Sequence, residues 1–314
     1  MKPITNESRP PLVRVGQADY VKDFYPWDLN PETQGDEHMT NLLKQVQRGV
    51  QPAPRRVLVY GTHGIGKSTF GSMADRPVFI QTEDGLGGID CERLPLATSY
   101  GDVVSALSAL YAEPHEYRSV VLDSLDWLER LIWAKVCQDR GVESIEDIGY
   151  AKGYVFAITY WREVLAGLDA LRNERGMTII LIAHAQIEKF ANPETDTYDR
   201  YSPRLHKQAS ALVQEWCDEV LFATYSIHTK ATDEGFGRKR VQGIGTGERI
   251  IRTTERPAHV AKNRLGLPEL LPLDWRIYGA FAKGDEQAAL AAIREYWPDY
   301  GKSEEQEQPV EQGA

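Results

Sequence analysis

Short apolar runs alternate with longer amphipathic stretches along the chain from Arg55 onward. The runs VLVY, VVL and TIILIA are continuously apolar, as expected for strands that are buried on both faces of a sheet. This alternation is typical of a parallel sheet whose strands are connected by crossover helices. The predicted strands are residues 57–60, 78–82, 94–98, 119–123 and 178–183, and the predicted helices are residues 67–73, 102–112, 125–138, 154–173 and 205–216.

The pattern changes after residue 216. Residues 219–230 and 249–262 are predicted strands joined by a glycine-rich basic turn, EGFGRKRVQGIGTGE, which predicts an antiparallel extension at the edge of the sheet. Residues 186–203 are polar and are predicted to form a long mobile loop. We therefore expect an α/β fold with a mostly parallel sheet flanked by helices and an antiparallel edge extension.

The chain divides into three predicted segments. Residues 1–52 form a polar N-terminal arm, and residues 53–282 form the main domain. Residues 283–314 contain a predicted helix over 285–296 and an acidic tail that we expect to be disordered. The arm carries aromatic residues that could dock on a core or on a neighbouring subunit, namely Tyr20, Phe24, Tyr25 and Trp27.

Composition and charge narrow the classes of function. Hydrophobic residues make up 42% of the 314 and charged residues 26%, which are ordinary globular values. The sequence has no membrane-length apolar run, no secretory signal at its N-terminus and only three distant cysteines, so we expect a cytoplasmic protein. The net charge of −10 argues against a protein that coats nucleic acid over its whole surface, but residues 228–264 carry +5 and could face phosphates.

The strongest chemical signal is the segment GTHGIGKST, which matches the phosphate-binding P-loop pattern G-x-x-x-x-G-K-[ST]. Its glycines let consecutive backbone N–H groups curl around an anion, and the following helix points its positive end at the phosphates. Lys67 would add charge at the β- and γ-phosphates, and the Ser68 hydroxyl would ligate Mg²⁺. The motif predicts ATP binding by Gly61, Thr62, His63, Gly64, Ile65, Gly66, Lys67, Ser68 and Thr69.

A second signal is the apolar strand SVVLDS, which ends in Asp123. An acidic residue in this place suits the group that holds Mg²⁺ beside a P-loop, with Asp126 as a less favoured substitute. The predicted strand VFIQT lies between the two motifs, which favours the division of ATPases that inserts a strand between them. Because Ser124 stands where many such enzymes have a glutamate, the carboxylate that activates water must come from elsewhere.

The segment FIQTE, residues Phe79-Ile80-Gln81-Thr82-Glu83, resembles an element of the RecA-like recombinase and helicase family. In that family the run ends in the catalytic glutamate. The resemblance implies that Glu83 orients or deprotonates the attacking water, with Asp84 as the alternative carrier. The spacing from Lys67 to Glu83 is short, which makes the chain similar to compact members of the family, such as the RecA-core ATPases of bacteriophages.

The next strand, TIILIA, is followed by His184, which matches the polar residue that senses the γ-phosphate in the family. The family's loops beyond this strand touch single-stranded DNA. The resemblance therefore implies that Phe190, Tyr198 and Tyr201 stack on bases and that Lys189, Arg200 and Arg204 meet phosphates. Four acidic residues offset this charge, and the other candidate loop, residues 141–153, is acidic overall.

The segment AKNRLGLP is similar to the K-N-R-F-G element of RadA-type ATPases, with Leu265 in place of the aromatic residue. In that family the lysine and the arginine reach the ATP of a neighbouring subunit. The resemblance implies that Arg264 is an arginine finger acting in trans and that Lys262 is its companion.

The resemblance covers about residues 53–282 and implies an ATPase that uses ATP and Mg²⁺. It implies action on single-stranded DNA in recombination, annealing or replication, a homo-oligomer with ATP at its subunit interfaces, and a single-strand-binding protein as a candidate partner. A helicase or helicase loader would share every motif, and a nucleotide switch with little hydrolysis also stays open. A small-molecule kinase is disfavoured because no arginine-rich lid segment accompanies the P-loop.

Overall fold

A ten-stranded mixed sheet organises the computed structural model, which describes residues 45–49, 53–233 and 239–300. The order of the main strands is β10-β8-β7-β1-β5-β4-β2-β3, while β6 pairs with β5 and β9 pairs with β7. The strands are β1 (Arg56–Gly61), β2 (Pro77–Gln81), β3 (Glu92–Arg93), β4 (Ser119–Asp123), β5 (Thr178–Phe190), β6 (Tyr198–Pro203), β7 (Glu219–Asp233), β8 (Lys239–Arg252), β9 (Lys262–Asn263) and β10 (Leu270–Pro272).

The centre of the sheet is parallel and one edge is antiparallel. Strands β7, β1, β5, β4, β2 and β3 pair in parallel, whereas β8 and β10 extend the sheet beyond β7 in antiparallel fashion. The predicted α/β fold with its edge extension is confirmed. The P-loop strand β1 and the Asp123 strand β4 are separated as predicted, but the strand between them in the sheet is β5 rather than the VFIQT strand β2.

Seven helices cover the two faces of the sheet within the described residues. In β1, Leu58 and Tyr60 pack on the face covered by α2 to α5, whereas Val57 and Val59 pack on the face of α1, α6 and α7. Burial on both faces explains why the central strands are continuously apolar. The helices are α1 (Lys67–Ser72), α2 (Tyr100–Ala112), α3 (Leu125–Arg140), α4 (Lys152–Glu174), α5 (Lys207–Trp216), α6 (Trp275–Ala282) and α7 (Glu286–Tyr296).

The predicted strand at residues 94–98 is wrong. Only Glu92 and Arg93 pair with β2, and the chain beyond them keeps single hydrogen bonds from Leu94 N to Phe79 O and from Ala97 N to Gln81 O. Pro95 lies between these two residues and has no N–H to donate. The ladder therefore cannot continue through this segment.

The predicted mobile loop at residues 186–203 is also wrong. Strand β5 continues to Phe190 and pairs with β6 in a regular antiparallel ladder from Ala185–Pro203 to Phe190–Tyr198. The rings of Phe190 and Tyr198 lie 5.5 Å apart at the end of this ladder. The hairpin of β5 and β6 is thus a hydrogen-bonded continuation of a core strand.

The C-terminal part differs in its boundaries from the sequence prediction. Much of the predicted basic turn belongs to β8, which ends at Arg252 and not near residue 262. The predicted helix 285–296 is confirmed as α7, whose Ile293 packs in the same cluster as Tyr278 of α6.

Residues 1–44 of the arm and the tail 301–314 lie outside the described residues. Across the described ranges, every helix is too short or too polar to cross a bilayer.

A buried carboxyl group, Glu129, lies where α3 meets the start of α5. It accepts hydrogen bonds of 2.9 and 3.1 Å from the backbone N–H of His206. Burial raises the pKa of Glu129 to about 7; the His206 hydrogen bond opposes that rise and the charge of Asp126 adds to it. The native state therefore holds a proton that the unfolded chain releases near pH 4.5, and folding stability should fall as the pH rises from about 4.5 to 7.

We predict that Glu129→Gln stabilises the protein at pH 8 by ~1–3 kcal/mol, because the amide keeps the acceptor oxygen without a buried charge. The advantage should shrink toward zero at pH 4.5. Urea unfolding across this pH range measures the effect, with the exposed Glu143→Gln as the control. An advantage of equal size at every pH would contradict the assignment.

Candidate nucleotide-binding site

The P-loop leaves the carboxyl end of the central strand β1 and enters α1 at Lys67. Gly61 is required by close packing, because a Cβ there would lie 2.2 Å from the carbonyl oxygen of Ala223 in β7. Gly66, the residue before α1, has φ of 105°, a left-handed conformation that favours glycine. The local chain geometry thus depends on glycine at both ends of the loop.

Lys67 is buried within the curve of the loop, with 6% of its surface exposed. Its Nζ donates hydrogen bonds to the carbonyl oxygens of Gly61, at 3.1 Å, and Thr62, at 2.9 Å. Burial lowers the pKa of Lys67, and the carboxylates of Asp123 and Asp126 oppose that shift. Because the ammonium is buried, its electrostatic attraction for an anion in the loop would be stronger than in water.

Ser68 and Asp123 meet across the top of the sheet. The Ser68 Oγ donates a 2.6 Å hydrogen bond to the Asp123 Oδ2 at the end of β4. Burial raises the pKa of Asp123, and the hydrogen bond from Ser68 opposes the rise. A hydroxyl and a carboxylate side by side are oxygen ligands of the kind that Mg²⁺ takes, so this pair fits the predicted metal site.

Glu83 lies two residues beyond β2, the neighbour of β4. Its Oε2 accepts a 3.0 Å hydrogen bond from the hydroxyl of Ser124, the residue that follows Asp123. Glu83 and Lys67 line the same cavity, of about 400 Å³. The cavity is lined by His63, Gly64, Gly66, Lys67, Ser68, Thr69, Glu83, Gly85, Ile89, Asp123, His184 and Arg249.

His184 follows the apolar part of β5 and lies opposite Gly61 in the parallel ladder. Its Nδ1 is 3.0 Å from both oxygens of Asp126, and its backbone N–H donates to the same carboxylate at 3.2 Å. The ring also lies 4.0 Å, centroid to centroid, from the ring of His63 in the P-loop. The histidine is therefore held between the P-loop and α3.

Asp126 is the carboxylate that connects His184 with Arg204. It accepts a hydrogen bond from Arg204 as well as from His184. Burial alone would raise the pKa of Asp126, but the hydrogen bonds from His184 and Arg204 outweigh it and hold the pKa well below its usual range. An ionised Asp126 only accepts hydrogen bonds, so Nδ1 of His184 donates to it and Nε2 takes no part in this contact.

The sequence analysis did not predict this cluster of Asp126, His184 and Arg204. Asp126 was expected only as a substitute for Asp123, and Arg204 was expected to meet DNA phosphates. The structure pairs Arg204 with Asp126, although the two lie 78 residues apart. The available signal was the position of Asp126 in the first turn of the helix that directly follows β4.

Lys262 and Arg264 lie away from this cavity, in and just after β9, which pairs with the first residues of β7. Lys262 Nζ donates to three carbonyl oxygens at the end of α5, at 3.0, 2.8 and 2.6 Å. It therefore caps that helix. The Arg264 side chain is 55% exposed and lies 3.5 Å from a carboxylate oxygen of Asp218.

The predicted DNA-contacting residues lie along the hairpin of β5 and β6. The Arg200 guanidinium stacks 4.0 Å above the Phe190 ring and pairs with Glu188 at 3.5 Å. Tyr201 stacks on Phe222, and Lys189 is exposed. The hairpin thus carries aromatic rings and cations, but Arg200 already contacts Phe190 and Glu188 of the same hairpin.

Arg249, from β8, is a second residue that the sequence analysis missed. It lines the cavity beside Gly66 although it belongs to the antiparallel extension. No sequence rule distinguishes it from the other arginines of this basic segment.

Comparison with known proteins gives a family and two similar chains. A family model described as an AAA domain matches residues 53–265. The SPbeta prophage-derived uncharacterized protein YorG of Bacillus subtilis (strain 168) is 24% identical over 210 residues, which span 60% of this chain and 60% of that protein. The crystal structure of the RadB recombinase superposes with a TM-score of 0.40 and 12% identity, over 70% of this chain and 86% of that chain. The family match includes the strands that carry the P-loop, Asp123 and His184.

We predict that Gly66→Ala weakens nucleotide binding at least tenfold. A Cβ would strain the left-handed backbone, at a cost of ~1–3 kcal/mol, and would lie 3.1 Å from the Arg249 guanidinium. Gly87→Ala is the control, because its Cβ would have nothing within 4 Å. Titration with a fluorescent ATP analogue measures affinity, and thermal melting verifies folding. Equal affinity of a folded Gly66→Ala variant would refute the prediction.

Proposed function

This chain belongs to the AAA domain family, and we propose that it is a Mg²⁺-dependent ATPase whose activity responds to single-stranded DNA. The observation that carries the hydrolytic part is the position of Glu83. Its carboxylate opens into the cavity that contains Lys67 and the Ser68–Asp123 pair. One cavity therefore combines an anion site, ligands for a metal ion and a base.

The proposed reaction is an in-line attack of water on the γ-phosphate of ATP. Backbone N–H groups of the P-loop and Lys67 hold the phosphate chain, and Glu83 orients the water and accepts its proton. Ser124 supports this role, because its hydroxyl donates to one oxygen of Glu83 and holds this carboxylate in the lining of the cavity. A Mg²⁺ ion held by Ser68 and Asp123 would neutralise charge on the phosphates.

We further propose that His184 reports the state of the γ-phosphate. Asp126 fixes its ring so that Nε2 is available to a ligand. The same strand continues to Phe190 at the end of the hairpin, and Arg204 ties the return strand to Asp126. A movement of His184 would therefore be transmitted along β5 to the hairpin. The aromatic rings and Lys189 of the hairpin suit a single-stranded nucleic acid.

Arg264 is proposed to act on the ATP of a neighbouring subunit. It lies near the amino end of β7, whereas the cavity lies at the carboxyl end of the adjacent β1. A head-to-tail assembly would bring these opposite ends of the strands together and would place ATP between subunits. Lys262 would first have to leave the three carbonyl groups that it caps.

We predict that Glu83→Gln lowers the ATPase rate at least a hundredfold while nucleotide affinity stays within threefold, because only the proton acceptor is lost. Asp84→Asn, its exposed neighbour, is the control and should retain activity. Phosphate release and nucleotide titration give the two readouts. Similar rates for Glu83→Gln and wild type would leave a nucleotide switch instead of a hydrolase.

We predict that Lys189→Glu weakens binding of a labelled single-stranded oligonucleotide and lowers the ratio of DNA-stimulated to unstimulated ATPase rates. Loss of one phosphate contact should flatten the logarithmic salt dependence of binding by about 0.7. Lys283→Glu, an equally exposed reversal at the end of α6, is the control. A wild-type rate that does not respond to DNA would exclude the DNA-dependent part of the proposal.

A further inference from the structure

Arg249 brings a positive charge to the P-loop from outside the parallel core. One guanidinium nitrogen lies 3.1 Å from the point where a Cβ on Gly66 would stand. Arg249 also shares a cavity with Lys67, Ser68 and Glu83. The side chain is therefore next to the backbone that cradles phosphates.

The backbone of Arg249 is held from two sides. It lies opposite Tyr225 in the ladder of β7 and β8, and its carbonyl oxygen accepts a 3.0 Å hydrogen bond from Leu273 N. Ile251, two residues further along β8, packs in the same cluster as Phe70 of α1. Because alternate residues of a strand share a face, Arg249 points toward the side of the sheet that carries α1.

An irregularity in the ladder sits immediately beside Arg249. The register of β7 and β8 shifts between Tyr225 and Ile227, and Gly247 in this region of β8 has φ of 75°. Bulges of this kind redirect the following side chains and are frequent beside active sites. The strand thus resumes its regular pairing at the residue that faces the P-loop.

The guanidinium of Arg249 is exposed and has no hydrogen bond or ion pair with another side chain in the part of the chain that the structure describes. The two carboxylates of the cavity have other partners, since Glu83 bonds Ser124 and Asp123 bonds Ser68. A planar guanidinium beside an anion nest matches the geometry of phosphate oxygens. A phosphate group held by the loop would therefore be a suitable partner for Arg249.

We propose that Arg249 binds the phosphate chain of the nucleotide in its own subunit, so that the antiparallel extension forms one wall of the site. The inference rests on the proposed nucleotide binding. It assigns Arg249 a contact with the nucleotide of its own subunit, whereas Arg264 is proposed to contact the nucleotide of a neighbouring subunit. Its first test needs binding alone and not hydrolysis, so the two ideas can fail separately.

The first experiment titrates the full chain with a fluorescent ATP analogue, at protein concentrations where sedimentation shows single subunits. Arg249→Ala should weaken binding about ten- to hundredfold, as expected for a lost charge-assisted hydrogen bond, and Arg249→Lys should restore part of the affinity. Arg252→Ala, on the same strand but outside the cavity lining, should bind like wild type. An Arg249→Ala affinity within twofold of wild type would overturn the proposal.

The second experiment separates action in cis from action in trans. Arg249→Ala is mixed with Lys67→Ala, which has an intact Arg249 but a defective P-loop. A contact in cis predicts that mixing restores no ATPase activity, whereas the parallel mixture of Arg264→Ala with Lys67→Ala should recover activity. Recovery in the Arg249→Ala mixture would show that Arg249 serves a neighbour and would overturn the assignment in cis.

Discussion

The hydrogen bond between Ser68 and Asp123 joins α1, the helix that follows β1, to β4, a strand that does not pair with β1. Strand β5 lies between β1 and β4, so the 2.6 Å contact spans the width of β5. Gly61 pairs with His184 in one ladder, and Asp123 pairs with Ile182 in the other. The pairing of β5 with β1 and β4 therefore places His184 next to the P-loop, and the rest of the site is arranged around these three strands.

Charge compensation then links the site to the hairpin of β5 and β6. Asp126 is buried, so its charge requires close partners, and His184 and Arg204 supply them. Because His184 lies in β5 and Arg204 directly follows β6, both ends of the hairpin are tied to one carboxylate. Displacement of the hairpin would disturb the same group that orients the histidine in the nucleotide cavity.

The sequence was most informative where local rules decide the structure. Continuous apolar runs predicted strands β1, β4 and β5, and glycine spacing predicted the P-loop, because neither pattern depends on distant partners. The hairpin at 186–203 was missed because its polar strands bury few residues and resemble a loop. The Arg204–Asp126 pair and the Arg249–Gly66 contact were also missed, because they arise only when distant segments meet in the folded chain.

The segment that contains Lys262 and Arg264 shows how two cations of one motif can have different tasks. Lys262 completes the last turn of α5 through three carbonyl groups, which ties β9 to that helix. Arg264 shares Asp218 with Arg56 and stays half exposed. The lysine therefore stabilises the position of the segment, and that position presents the arginine at the amino end of β7, opposite the strand end that carries its own P-loop. A cation held there is useful to catalysis only if a second subunit supplies the nucleotide.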